Sequence, residues 1–340
     1  MEYMLVILIV LSSMISFFAV AFLAPSMKKF MEKVKIVGID QQKHERPKMA
    51  TSGGVLVMTG VLLGGFFFIA VNTFLTPLHV DMTYLLAAYC SILIITFIGF
   101  LDDIHVARRP KKNKGVSDLR VGLKQWQKPL LTLPAAVPLM SVMAGTSSMS
   151  LPFIGTVNFG LLYPLLLVPV GVVVVSNATN MLAGMNGLEA GLGSISLFFL
   201  GIYTFFAGRI DACILAFITS FSLLAFLKWN WYPAKFLPGD SLTYLIGATY
   251  ASVVIIGNIE KFGIVLFTPW MIEAFLKLRS RFRARSLGDL RTDGTLKAPY
   301  KKIYSLTHVF MKIKPMKEYE ITLCIIFFEF TIGAIAFLLM

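Results

Sequence analysis

The chain has 340 residues, 57% of them hydrophobic and only 14% charged, with a mean hydropathy of +0.77. Water-soluble domains carry about 45–50% apolar and about 25% charged residues, so this composition excludes an ordinary soluble globular protein. A net charge of +13 would suit nucleic acid, but the basic residues lie between apolar blocks, where lipid headgroups and phosphorylated ligands meet them and nucleic acid does not.

The apolar blocks are about 20 residues long, the length that crosses a bilayer core. They predict an all-α integral membrane protein with ten transmembrane helices at 4–24, 52–72, 84–101, 129–145, 158–177, 188–207, 211–228, 241–258, 262–279 and 319–340. The first block has no basic segment before it, and Lys28 and Lys29 follow it, so it reads as a helix and not as a cleaved signal. No repeat or low-complexity linker divides the chain, and residues 1–340 are expected to form a single polytopic domain. The loops alternate in charge. Residues 25–50 carry seven Lys/Arg, 102–128 eight, and 279–318 eleven, whereas 73–83 and 146–157 carry none. The positive-inside rule then puts the basic loops in the cytoplasm and both termini outside, as an even number of spans requires. Cys90, Cys213 and Cys324 sit in apolar runs without metal-ligand spacing and are expected to pack as small apolar residues. His44, His79, His105 and His308 are scattered.

Ionisable or strongly polar residues at span ends are functional candidates. Four groups fall on the predicted cytoplasmic side. Asp102 and Asp103 close the third span, and adjacent carboxylates at a water boundary suit divalent-cation binding or proton transfer. A solvated helix end is the competing reading. The C-terminal end of a helix is negative, so carboxylates there call for a nearby cation. The run from Ser176 to Glu189 places Asn177 and Asn180 on one helix face; Asn180 offers a carbonyl oxygen to Mg²⁺, and Gly184 and Gly187 allow close backbone approach to a ligand. Hydrogen bonding between helices competes with that reading. Asp240 opens the eighth span, where a helix cap competes. The loop 279–318 holds Arg279, Arg281, Arg283, Arg285 and Arg291, whose guanidinium forks match phosphate oxygens. Positive-inside charge accounts for most of these, as it does for Arg108, Arg109, Lys111, Lys112 and Lys114. Together the four groups make a site that binds phosphates through cations at the membrane surface, open to a lipid and to a soluble substrate.

In their order and loops, these residues resemble the polyprenyl-phosphate N-acetylhexosamine-1-phosphate transferase family. The resemblance covers nearly the whole chain: Arg46 to Gly54, Asp102-Asp103, Lys114-Gly115-Val116-Ser117 leading to Lys128, Asn177 to Gly191, Gly239-Asp240-Ser241, and Arg283-Ala284-Arg285. Bacterial members usually carry Asp where this chain has Ala183 and Asn186, and a histidine-rich motif that this chain lacks. The chain resembles the eukaryotic and archaeal branch, with Ala284 in place of a histidine and Val106 in place of a common polar residue. The resemblance implies Mg²⁺, with Mn²⁺ as a substitute, held by Asn180 and Asp240. It implies catalytic roles for Asp102, Asp103 and Asp240, the first two positioning or deprotonating a lipid phosphate. Asn177, Asn186, Glu189, Lys128, Arg283 and Arg285 would bind substrate, Asn186 reading uracil and the cations holding the diphosphate or sugar phosphate. The implied substrates are UDP-N-acetylglucosamine and a polyprenyl or dolichyl phosphate, giving polyprenyl-diphosphate-N-acetylglucosamine and UMP, the first step of lipid-linked oligosaccharide assembly for N-glycosylation. The expected setting is the cell membrane (the endoplasmic reticulum in a eukaryote), among membrane lipid and without nucleic acid; a homodimer is compatible with it. A different UDP-sugar stays open. A lipid or nucleotide-sugar transporter also stays open, although the span centres are poor in charge and no inverted repeat is visible.

Overall fold

A computed structural model describes residues 2–75, 78, 80–104, 126–151 and 155–339. His79, His105, Val106 and the basic stretch from Arg108 to Ser117 lie outside the described residues. The chain starts with α1 (Glu2–Lys33), an antiparallel hairpin of β1 (Val37–Ile39) and β2 (Lys48–Ala50), α2 (Gly53–Phe74) and α3 (Met82–Ile104). Next come α4 (Gln127–Thr132), a 3₁₀ turn (Leu133–Ala136), α5 (Val137–Ser141) and a second hairpin, β3 (Ser148–Leu151) with β4 (Gly155–Asn158). A π-turn (Tyr163–Leu167) leads into α6 (Val168–Met181), followed by α7 (Leu188–Phe206), α8 (Ile210–Asn230), α9 (Gly239–Gly257), α10 (Glu260–Leu266) and α11 (Thr268–Leu278). The chain closes with β5 (Asp289–Leu290), β6 (Leu296–Lys297), α12 (Leu306–Ile313) and α13 (Glu318–Leu339).

Among the described residues, eight helices are long and apolar enough to cross a membrane, against the ten expected. The other two predicted spans are broken into α4–α5 and α10–α11. Proline explains the breaks, because it removes a helix hydrogen bond and clashes with the preceding turn: Pro134 and Pro138 interrupt the first, Pro269 the second. The fifth predicted span starts later than expected because β3 and β4 take up the residues before it. Asn177 and Asn180 consequently lie within the last turns of α6.

Between α1 and α9, apolar character and burial run in opposite senses. The crossing window of α1 has a mean hydropathy of 2.7 with 33% of it buried; that of α9 has 1.3 with 83% buried. In a soluble protein the buried helix would be the more apolar one. The opposite order is what lipid imposes, with apolar side chains facing acyl chains and small polar residues packing between helices. α9 is thus the central helix, in contact with α2, α3, α6 and α8. Gly54 of α2 and Gly99 of α3 both abut the backbone of Ser241; a Cβ at either would collide with it. The start of α9 is therefore gripped from two sides.

Contacts at the helix ends fix what lies where. Lys128, in α4, meets Asp240 at the start of α9, whereas Gly145, beyond α5, lies against Ile255 near the end of α9. Glu260 at the start of α10 meets Tyr163 in the π-turn before α6, and Ser286, after α11, meets Met181 at the far end of α6.

Candidate active site

The first N–H groups of a helix have no partner within it. For α9 the partner comes from α3. Asp103 Oδ1 accepts the Asp240 N–H at 2.7 Å, and Oδ2 accepts the Ser241 N–H at 3.2 Å. Gly239, at φ +70°, leaves room for that carboxylate, which a Cβ would strike. The competing reading of Asp240 as the helix cap does not hold: Asp103 supplies the cap, and the Asp240 side chain is turned elsewhere. Its Oδ2 lies 2.8 Å from Lys128 Nζ, which is also 2.9 Å from Asp102 Oδ2. Lys128 is the cation that the negative end of α3 calls for. Burial pulls the Lys128 pKa down, but the charge of Asp240, the neighbouring Tyr244 and the hydrogen bonds to Asp240 and Asp102 together outweigh it and hold the pKa above the usual lysine range.

The last turns of α6 supply the opposite wall. Asn180 Oδ1 lies 3.2 Å from Thr243 Oγ1, which is 3.0 Å from the Asp240 carbonyl oxygen. Asn177 Nδ2 donates to Thr132 Oγ1 at 3.0 Å and to the Val173 carbonyl at 2.8 Å. Asn177 therefore ties α6 to α4, one turn from Lys128, and does not line the cavity. That cavity, of about 270 Å³, is lined by Asp40, Asn180, Gly184, Asn186, Glu189 and Asp240, among others. Gly184, at φ +109°, donates its N–H to Glu189 Oε1 at 2.7 Å, while Glu189 Oε2 is buried with no hydrogen-bond partner among the described residues. Gly187 is packed on Trp231 and does not line the cavity, whereas Gly184 does.

A second cluster closes the other end of the cavity. Asn186 Nδ2 donates to Asp40 Oδ2 at 3.0 Å, and its backbone N–H donates to Glu318 Oε1 at 2.7 Å. Lys43 bridges the two acids, 3.2 Å from Asp40 Oδ2 and ion-paired with Glu318. Asp40, Lys43 and Glu318 were invisible as site residues in the sequence: an Asp-x-x-Lys in one loop and a Glu opening the last helix carry no signal until the hairpin folds over α6–α7.

The arginine loop is pinned from below. Glu273 Oε1 accepts from Ser286 Oγ at 3.1 Å; its Oε2 accepts from Ser305 Oγ at 2.9 Å and from the Leu306 N–H at 2.7 Å. Lys277 Nζ donates to the Ala284 carbonyl at 2.7 Å. Ala284 and Ser286 are buried while Arg283 and Arg285 are exposed, an alternation that sends both guanidinium groups outward. Arg285 pairs with Asp289, and Leu287 of the same loop lines the cavity.

No group of three or more His, Cys, Asp or Glu that could hold a metal occurs among the described residues. Mg²⁺ keeps several waters and is held by one or two carboxylates plus phosphate oxygens. Asp240 and Asn180 are oxygen donors of the right kind, and both line the cavity.

Residues 85–258 match the family described as glycosyl transferase family 4. The chain is 33% identical over 339 residues to a Saccharolobus solfataricus protein provisionally named UDP-N-acetylglucosamine–dolichyl-phosphate N-acetylglucosaminephosphotransferase, a match covering 99% of this chain and 98% of the relative. A Sulfolobus acidocaldarius protein of the same provisional name is 33% identical over 303 residues, 86% of this chain and 84% of the relative. The phospho-N-acetylmuramoyl-pentapeptide-transferase of Clostridium perfringens is 27% identical over 268 residues, 78% of this chain and 80% of the relative. The matched segment contains Asp102, Asp103, Lys128, Asn180 and Asp240, the residues that converge at the start of α9. The chain belongs to glycosyl transferase family 4.

Proposed function

We propose that this protein transfers N-acetylglucosamine-1-phosphate from UDP-N-acetylglucosamine to a polyprenyl phosphate of the dolichyl type, releasing UMP. The observation that carries the reading is the convergence of Asp102, Lys128, Asn180 and Asp240 from four helices at the start of α9, where Asn180 and Asp240 line one cavity. The end-to-end likeness to relatives provisionally named for this reaction supports the choice of sugar and lipid.

The chain crosses the membrane ten times, with both termini outside and the site in the cytoplasm. α3 and α6 both arrive at the start of α9 with their C-terminal ends, through Asp103 and Asn180, so the chain between them must return. The α4–α5 path from Lys128 to Gly145 matches that return, and α10–α11 makes the corresponding one before α13. The basic loops then share a side with the site.

A lipid acceptor also has a path. An apolar groove of about 190 Å³ between α6 and α9–α11 is lined from Tyr163 to Val175, two residues short of Asn177. It is open beside Gly171, where a Cβ would meet nothing within 4 Å. A polyprenyl chain lying there puts its phosphate at the end of α6, beside Lys128.

An oxygen of the lipid phosphate attacks the β-phosphorus of the UDP-sugar. The bond between that phosphorus and the bridging oxygen breaks, and UMP leaves with both electrons. No covalent enzyme intermediate is needed, so positioning and charge stabilisation supply the rate. Lys128, held between Asp102 and Asp240, turns its charge to the entering phosphates, with Asp102 keeping it in place. Asp103 fixes the first turn of α9 and with it Asp240. Arg283 and Arg285, exposed on the loop whose Leu287 lines the cavity, are the cations available to the sugar phosphate, and Asn186 reads the base. Asp240 and Asn180 would hold Mg²⁺, which would supply Lewis-acid neutralisation of the diphosphate.

The test is incubation of the purified protein with dolichyl phosphate, Mg²⁺ and each of several UDP-sugars, with mass spectrometry of the lipid. The expected product carries N-acetylglucosamine phosphate and forms with UMP. Product from another UDP-sugar alone, or none from any, overturns the reading.

A further inference from the structure

We infer that Asp40 sets the base specificity of the site by fixing the side-chain amide of Asn186 with its oxygen turned to the cavity. The inference rests on the reading that Asn186 meets the uracil. A carboxylate only accepts hydrogen bonds, so the amide end facing it must be the NH₂. Asn186 Nδ2 stands 3.0 Å from Asp40 Oδ2. A flipped amide would place oxygen against oxygen. Asn186 Oδ1 receives no hydrogen bond from the described residues, and the residue lines the cavity.

The clamp is closed on every side. Asp40 Oδ1 accepts the Gln42 N–H at 3.2 Å, and Oδ2 is 3.2 Å from Lys43 Nζ. Lys43 pairs in turn with Glu318, which accepts the Asn186 N–H. Thr322 Oγ1 donates to the Asn186 carbonyl at 3.3 Å. Asp40 is 5% and Asn186 4% exposed, so water does not compete for the pairing. An amide that cannot turn is a one-way reader.

Uracil offers a donor at N3 and cytosine offers an acceptor at the same position. In the register where Oδ1 meets N3, uracil gains a hydrogen bond. Cytosine sets two acceptors face to face, each desolvated and unpaired, the arrangement that lets a polar site discriminate strongly. Asp40 acts through Asn186 and is a positioning residue.

The experiment measures UMP and CMP as competitive inhibitors of transfer by the full-length enzyme in detergent. The wild type should favour UMP by about tenfold or more. In Asp40→Asn the new NH₂ can donate to Asn186 Oδ1, so the amide can turn its own NH₂ to the cavity. The UMP preference should then fall by about tenfold, toward CMP, while Asp40→Glu keeps it. Asp40→Ala removes the acceptor without adding a donor and serves if Asp40→Asn does not fold; it should bring the ratio close to one. A wild-type ratio in a folded Asp40→Asn or Asp40→Ala, even with a higher KM, overturns the inference. A wild type that binds CMP as well as UMP overturns it too. Asn186→Ala separates the two claims: if it leaves UMP inhibition unchanged, the base reading itself fails; if it weakens UMP while the Asp40 variants keep the ratio, only the positioning role fails.

Discussion

The two ends of the cavity handle charge differently. At the proposed phosphate end, the Asp240 side chain is 21% exposed, so its pairing with Lys128 can be exchanged for a ligand. At the base end, the Asp40 side chain is 4% exposed and Glu318 2%, and every bond they make holds another part of the protein in place. An end that stabilises moving charge must leave its charges reachable. An end that recognises a flat, neutral base needs its polar groups immobile. Substitutions at the first end should therefore act on turnover, and those at the second on substrate affinity and choice.

The largest effect is expected from Asp240→Ala, which removes the reachable carboxylate while leaving Asp103 to cap α9 through the backbone. Transfer should drop by about 10³-fold or more in kcat, with an unchanged melting profile. Near-normal turnover of this variant would erase the distinction between the two ends. Next is Lys128→Gln, which leaves Asp102 and Asp240 facing each other without a cation. A fall of about 10²-fold in steady-state kcat is expected, with little change in KM for the UDP-sugar. A change confined to KM would make Lys128 a binding residue only. Arg285→Ala should weaken UDP-sugar binding by about tenfold, the scale of one lost charge-assisted hydrogen bond. Isothermal titration showing wild-type affinity would remove Arg285 from the site.

The smallest effect concerns the support under the arginine loop. His308 is buried, its Nδ1 accepting the Tyr304 N–H at 3.4 Å. Burial first, and the Lys277 charge second, hold its pKa down to about 4 from 6.5. The folded protein thus binds this proton less readily than the unfolded chain. Stability is unaffected by His308 above about pH 6.5 and declines as the pH falls toward 4. Thermal melting should show that decline, and His308→Gln should flatten it. An equal slope in both proteins would assign the acid sensitivity elsewhere.

Much of the phosphate end was legible in the sequence. Asp102 at the negative end of an apolar helix asked for a cation, and Lys128 fills that place. Asn180 and Asp240 were readable as oxygen donors next to apolar blocks. What the sequence hid were relations between distant elements. Asp103 looks equivalent to Asp102 until α3 meets α9, when one carboxylate becomes a cap and the other a partner of lysine. Asn177 looks like a ligand-facing residue until Thr132 takes its amide. Asp40 gave no sign at all, because its importance lies in the orientation of a residue far along the chain. In the fold, hydropathy located eight continuous helices, and Pro134, Pro138 and Pro269 broke the other two.

The central claim is that the bond broken lies between the two phosphates and not between sugar and phosphate. It is tested most directly by a single turnover with UDP-N-acetylglucosamine carrying ³²P at the β-phosphorus and dolichyl phosphate as acceptor. The account predicts that the label moves entirely into the lipid and that the nucleotide released is unlabelled UMP. Label released as UDP, with an unlabelled sugar on the lipid, would contradict it.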